Sequence, residues 1–243
     1  MKTVYWATFP VQDEFTISEL RYSPPESLLK DISPTSFFGQ EAGRCPAIIN
    51  ECRNTYKIKS PLDLHITYTF EDNYNSCISK YPQNEAMLQQ LLGVVGPEKV
   101  VQLAAPTYLF YCDEDLTMSM LPPYYEETDF TAGCMGISAT YNINKWFRPV
   151  KPTFKLKKNN NVIDIKMNEA ICYYKFNTDE KIKLVQFDAT EFHTNGIMKD
   201  ILTFKFNTKN PAVPTKLIDS YNAFVQARYN KRIMKVIKNN LLD

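Results

Sequence analysis

The sequence predicts a mainly β (α+β) chain, an antiparallel β-sandwich of jelly-roll-like character. One or two short helices and a C-terminal amphipathic helix complete it. Three observations predict this class. Short apolar runs with period-two alternation recur between polar turns. Aromatic residues make up 13% of the 243 residues, with 15 Tyr and 15 Phe, and such side chains suit pleated, half-buried surfaces. From Ser220 the apolar spacing changes to that of a helix. Residues 1–219 therefore read as one β-rich domain that opens on an irregular wrap over 1–45. Residues 220–243 read as a helix packed on that domain or on a partner.

Taken in order, residues 2–9 predict a short edge strand ended by Pro10. Residues 10–45 are rich in Pro and Ser, yet Phe15, Leu20, Tyr22, Leu28, Phe37 and Phe38 make them too apolar for a tether. Pro46 fits the first turn of a short helix. Thr55–Lys59 and Leu62–Tyr68 alternate as strands around the Ser60-Pro61 break. Asn84 to Leu92 has helical spacing and stops at Gly93. Tyr108–Tyr111 and Leu116–Met120, joined by Asp113-Glu114-Asp115, predict a hairpin. Further strands are predicted at Ala139–Ile143, Thr153–Lys157, Val162–Lys166, Ala170–Phe176 and Ile182–Phe187. Turns fall at Asn159-Asn160-Asn161 and Thr178-Asp179-Glu180. The last helix places Tyr221, Phe224, Val225, Tyr229, Ile233, Val236, Ile237 and Leu241 on one face over about six turns. Arg228, Lys231, Arg232, Lys235 and Lys238 lie on the other.

Composition narrows the function classes. Net charge is +1, so no global field attracts nucleic acid or an anionic membrane, and a role there requires a local patch. The N-terminus carries no apolar signal core, and no stretch reaches the length of a membrane span. Six cysteines without CxxC spacing read as free, buried thiols of a reducing compartment. There is no GxSxG elbow, P-loop or GxGxxG, and neither histidine has a metal-ligand neighbour at i+2, i+3 or i+4. No cofactor and no metal is expected.

Each remaining candidate has a plain structural counterpart. Cys45 at the start of the predicted helix, beside Arg44, is a reactive-thiol candidate; the alternative is a small residue buried where helix meets sheet. His65 and His193 read as structural histidines. The Gly133-Cys134-Met135-Gly136 run is a weak phosphate cradle and better read as a bulge or tight turn. Asp113-Glu114-Asp115 and Glu126-Glu127-Thr128-Asp129 read as solvated acidic turns. Trp146 with Arg148 is an aromatic–basic interaction candidate; the structural alternative is a core anchor where the chain crosses between sheets. Arg228, Arg232 and Lys235 are interaction candidates on the helix, where cations near a C-terminus are also favoured by the helix dipole.

Several of these runs occur together in a known setting. Arg44-Cys45-Pro46-Ala47, Asn54-Thr55-Tyr56 and Ser60-Pro61-Leu62-Asp63-Leu64 resemble a recurrent pattern in proteins of marine tailed phages, including those that infect cyanobacteria. So do the stretch from Tyr141-Asn142-Ile143 through Asn144 and Lys145-Trp146-Phe147-Arg148-Pro149, Ile163–Lys166, and Tyr174-Lys175-Phe176. The resemblance spans residues 40–190, and no activity is attached to that group. It implies an origin and carries no catalytic residues. The expectation is a non-catalytic phage protein, a virion structural or protein-interaction component, found in the host cytoplasm or the virion. Self-association or a protein partner is expected; nucleic acid and membrane are not. The competing expectation is a small auxiliary enzyme or host-takeover factor using a jelly-roll-like pocket.

Overall fold

The computed structural model describes residues 1–8, 23–31, 44–71, 74–79, 100–103, 107–157, 162–198 and 229–242, without the side chains of 68–71, 74–79 and His193. The predicted helix over 84–92, the Asn159-Asn160-Asn161 turn, most of the 1–45 wrap and the 220–228 part of the last helix lie outside the described residues.

Strands dominate. The elements are β1 (Lys2–Thr8), β2 (Glu26–Ser27), a 3-10 turn (Leu28–Lys30), α1 (Pro46–Cys52), β3 (Thr55–Lys59), β4 (Leu64–Glu71), β5 (Tyr74–Ser79), β6 (Val100–Gln102) and β7 (Tyr108–Tyr111). They continue with β8 (Thr117–Leu121), α2 (Asp129–Gly133), β9 (Cys134–Gly136), β10 (Ala139–Asn142), β11 (Thr153–Leu156), β12 (Val162–Ile165), β13 (Ala170–Phe176), β14 (Ile182–Gln186), α3 (Thr190–Thr194) and α4 (Tyr229–Asn239). Among the described residues they form a five-stranded sheet, β10-β8-β13-β3-β2, and three-stranded sheets β14-β1-β7, β6-β11-β9 and β12-β4-β5. All pairings are antiparallel except β1 with β14.

That exception marks the centre of the molecule. β1 lies between β14 and β7, so the predicted edge strand is an interior one. Its alternation explains how. Val4 and Trp6 enter the main core with Phe110, Met118, Phe154, Tyr174 and Phe176. Ala7, with Tyr5 packed against it, enters a second core with Phe147, Phe187, Phe192, Ile233 and Ile237. β7 divides in the same way: Tyr108 and Phe110 face the main core, Leu109 and Tyr111 the second. A sheet covered on both faces is where parallel pairing and unbroken apolar runs are found. Each fully buried apolar side chain contributes about 1.5–3 kcal/mol here.

The predicted hairpin of 108–120 is not formed. β7 pairs with β1, whereas β8 pairs with β10 and β13, so Asp113-Glu114-Asp115 carries the chain from one sheet to another. The composition of the two strands accounts for this. Tyr108–Tyr111 is buried at every position, while Thr117–Leu121 alternates and exposes a polar face. That outer face carries a ladder in which Asn177 Nδ2 donates to Thr117 Oγ1 and Ser119 Oγ, each at 3.0 Å, and Ser119 meets Thr140.

Two ends also differ from expectation. The last helix stops at Asn239; Leu241 instead bridges Phe187, so neither continues the element predicted for it. The Gly133–Gly136 run is neither cradle nor bulge. Gly133 ends α2 and Gly136 lies in β9, where an added Cβ would meet Pro122 Cβ at 2.7 Å and Cα at 2.8 Å. Glycine is required there by close approach.

Candidate functional site

Trp146 and Arg148 lie in the loop after β10. The Arg148 guanidinium sits 5.2 Å from the Trp146 ring centroid, and Tyr141 lies against the same indole at 5.7 Å. The ring that was a candidate stacking platform thus already has partners within its own chain. Between them, Phe147 is buried and meets Tyr111 edge-on at 5.7 Å and Phe192 at 4.8 Å. Val150 then bridges to Tyr108. The segment carries the chain from β10 of the five-stranded sheet, past β7 of the central one, to β11 of the β6-β11-β9 sheet.

On α4, Tyr229, Ile233, Val236 and Ile237 are buried in the second core, packed on residues of this same chain. Arg232 and Lys235 are exposed on the opposite face with Lys231 and Lys238. Arg232 lies 5.0 Å over the Tyr229 ring. Arg228 lies outside the described residues. The helix carries four cations and no acidic residue.

Cys45 takes the N-cap position of α1, half-buried, with no capping hydrogen bond from its side chain. Cys52, Cys112, Cys134 and Cys172 are buried. Burial raises the pKa of all four, with Cys134 and Cys172 pushed up to about 12. These thiols are held in the unreactive protonated form. Cys45 belongs to α1 and His65 to the β12-β4-β5 sheet, while residue 193 lies in α3, whose Phe192 packs in the second core.

His65 has a partner that no local pattern revealed. It faces Asp164 across the β4–β12 pair, with Nδ1 3.1 Å from Asp164 Oδ2, while Lys166 Nζ donates to Oδ1 at 2.9 Å. Lys166, then His65, hold the Asp164 carboxyl below its ordinary pKa. With the His65 side chain 42% exposed, this is a solvated cross-strand pair.

Nearby, Glu127, Asp129 and Glu169, with Thr128, Thr131 and Ala132, line an open depression of about 590 Å³. Thr128 caps α2 by accepting from Thr131 N–H, and Thr131 Oγ1 accepts from Thr128 N–H in return. Glu169 accepts from the Lys166 backbone N–H, leaving Glu127 and Asp129 exposed without an ion pair among the described residues. A second cluster surrounds Tyr124, the exposed member of an edge-to-face group with Tyr125 and Tyr173. Tyr124 donates to Glu51 and Tyr173 to Glu126, and burial raises both phenol pKa values.

No protein family, curated protein or solved structure matches this chain. Among the described residues no helix is long and apolar enough to cross a membrane.

The runs that carry the phage resemblance have structural work. Asn54 adopts a left-handed backbone at φ 56°, and its buried side chain donates to Thr178 O and Glu180 O, each at 2.8 Å, and accepts from Ile182 N–H. Ser60 Oγ donates to Leu62 O, and Asp63 accepts from Met167 N–H, closing the turn before β13. Asn144 Nδ2 donates to Cys112 O and Asp113 O, fixing the crossing after β7. These residues hold loops in place.

Proposed function

We propose that this chain is a non-catalytic interaction protein, a virion component or host-interaction factor of a tailed phage. The observation that carries the binding role is the basic face of α4. Its apolar face is seated in the second core, so a row of cations is presented on a rigid support. A preorganised charged surface binds with little ordering cost and steers a partner of opposite charge. Burial of Cys52, Cys112, Cys134 and Cys172, which raises their pKa values, favours this reading over a thiol-dependent auxiliary enzyme. The phage setting rests on the resemblance of residues 40–190 alone.

Mass spectrometry of purified particles and of size-fractionated infected-cell lysate tests the reading. The chain is expected in particles or in large complexes. A chain recovered only as a free monomer that turns over a small-molecule substrate would overturn it.

A further inference from the structure

The helix face and the acidic depression are complementary and belong to one chain. Lys231, Arg232, Lys235 and Lys238 are exposed, and none makes an ion pair among the described residues. Lys231, Lys235 and Lys238 follow i, i+4, i+7 spacing, which aligns them on one stripe opposite Ile233 and Ile237. The depression offers Glu127, Asp129 and Glu169, two of them exposed and without an ion-pair partner among the described residues, beside a single Lys157 Nζ that donates to Thr131 O at 2.7 Å.

Phe130 of α2 belongs to the main core and the apolar face of α4 to the second, so the two surfaces are carried by different cores, to both of which β1 and β7 of the central sheet contribute. With a net charge of +1, general repulsion between copies is small.

We propose that the basic face of α4 docks against the acidic depression beside α2 of a second copy of this chain. The proposal rests on the interaction reading above and names its partner. The contact is heterologous: each copy uses different surfaces, and repetition builds a ring or an open chain. Being formed by rim charges, it is weak and salt-sensitive.

Sedimentation velocity on the full chain, over a range of protein and salt concentrations, tests it. Mass is expected to grow with concentration at low salt and to fall back toward the monomer at high salt. Neutralising the stripe as K231Q/K235Q/K238Q is expected to raise the dissociation constant roughly tenfold, since each exposed charge contributes a few-fold. The reversals K231E/K235E/K238E and E127K/D129K are each expected to remain monomeric alone, and to associate when mixed. Circular dichroism confirms that each variant is folded. A monomer at every concentration, association indifferent to salt and to both reversals, or a stripe that binds duplex DNA without self-association would overturn the proposal. Recovery in particles together with a strictly monomeric free chain would reject this contact and leave the interaction reading standing.

Discussion

The central β14-β1-β7 sheet and the five-stranded sheet obey different rules. The five-stranded sheet has a wet stretch at its β10-β8 side, with Thr117, Ser119, Thr140 and Asn177 bonded along it and β8 alternating polar and apolar, while Ala170 and Tyr173 of β13 are covered by a small third core with Leu28 and Cys52. The central sheet is covered on both sides by separate cores, and β7 is buried throughout. A one-faced sheet announces its register through alternation, because a one-residue slip would bury its polar face. A two-faced sheet loses that signal, and its pairing is set by what lies on each side. The two cores also differ in how they treat tyrosine. Tyr108 in the main core donates to Ser23 O at 2.8 Å, whereas the Tyr111 hydroxyl in the second core is buried with no hydrogen-bond partner among the described residues.

The comparison breaks if the central sheet tolerates truncation on either side. Phe110→Ala in the main core and Phe147→Ala in the second are each expected to cost about 3–5 kcal/mol in denaturant unfolding. A loss under about 1 kcal/mol at either site would mean that side of the sheet is not a packed core. Asn54→Ala removes three hydrogen bonds from a buried loop joint and leaves a left-handed backbone without its asparagine. The expected loss is about 2–4 kcal/mol. Asn54→Gly, which restores only the backbone freedom, should recover a minor part.

The tyrosines sharpen the contrast in sign. Tyr108→Phe deletes a made hydrogen bond and should destabilise by about 1 kcal/mol. Tyr111→Phe deletes a hydroxyl that is desolvated without compensation and should stabilise by about 1 kcal/mol. Equal signs from thermal unfolding would remove the distinction between the two cores.

The smallest effect belongs to the wet surfaces. Lys166 and His65 lower the Asp164 pKa, and Lys59 lowers that of Glu26. Stability from such carboxylates is complete above their ordinary pKa and is lost as pH falls through the depressed folded value. Asp164→Asn and Glu26→Gln should each flatten the acid limb of a plot of midpoint against pH, and added salt should shrink the difference. An unchanged acid limb would show that these pairs contribute nothing.

The elements themselves were legible. β3, β8 and β11–β13 fell close to where alternation put them, and Pro46 opened α1 as its fixed φ requires. Their partners were not legible, because pairing is non-local. β13 joins β3 and β8, and β1 pairs with β14, Lys2 lying opposite Ile182. The same limit applies to the candidate surfaces. The basic stripe of α4 follows from helical spacing alone. The depression needs Glu169 beside Asp129, and the His65–Asp164 pair joins residues 99 apart; only the folded chain brings these together. Asn54 and Asn144 read as members of a recurring pattern, while their clamping role depends on carbonyls supplied by distant loops.

The central claim is that α4 closes the second core of its own chain. Ile237, fully buried in that core, tests it most directly through the denaturant midpoint of Ile237→Ala measured across a wide range of protein concentrations. A loss of about 2–5 kcal/mol, the same at every concentration, is the predicted result. A loss that grows on dilution would contradict the account, because it would mean that the helix covering this core comes from another molecule.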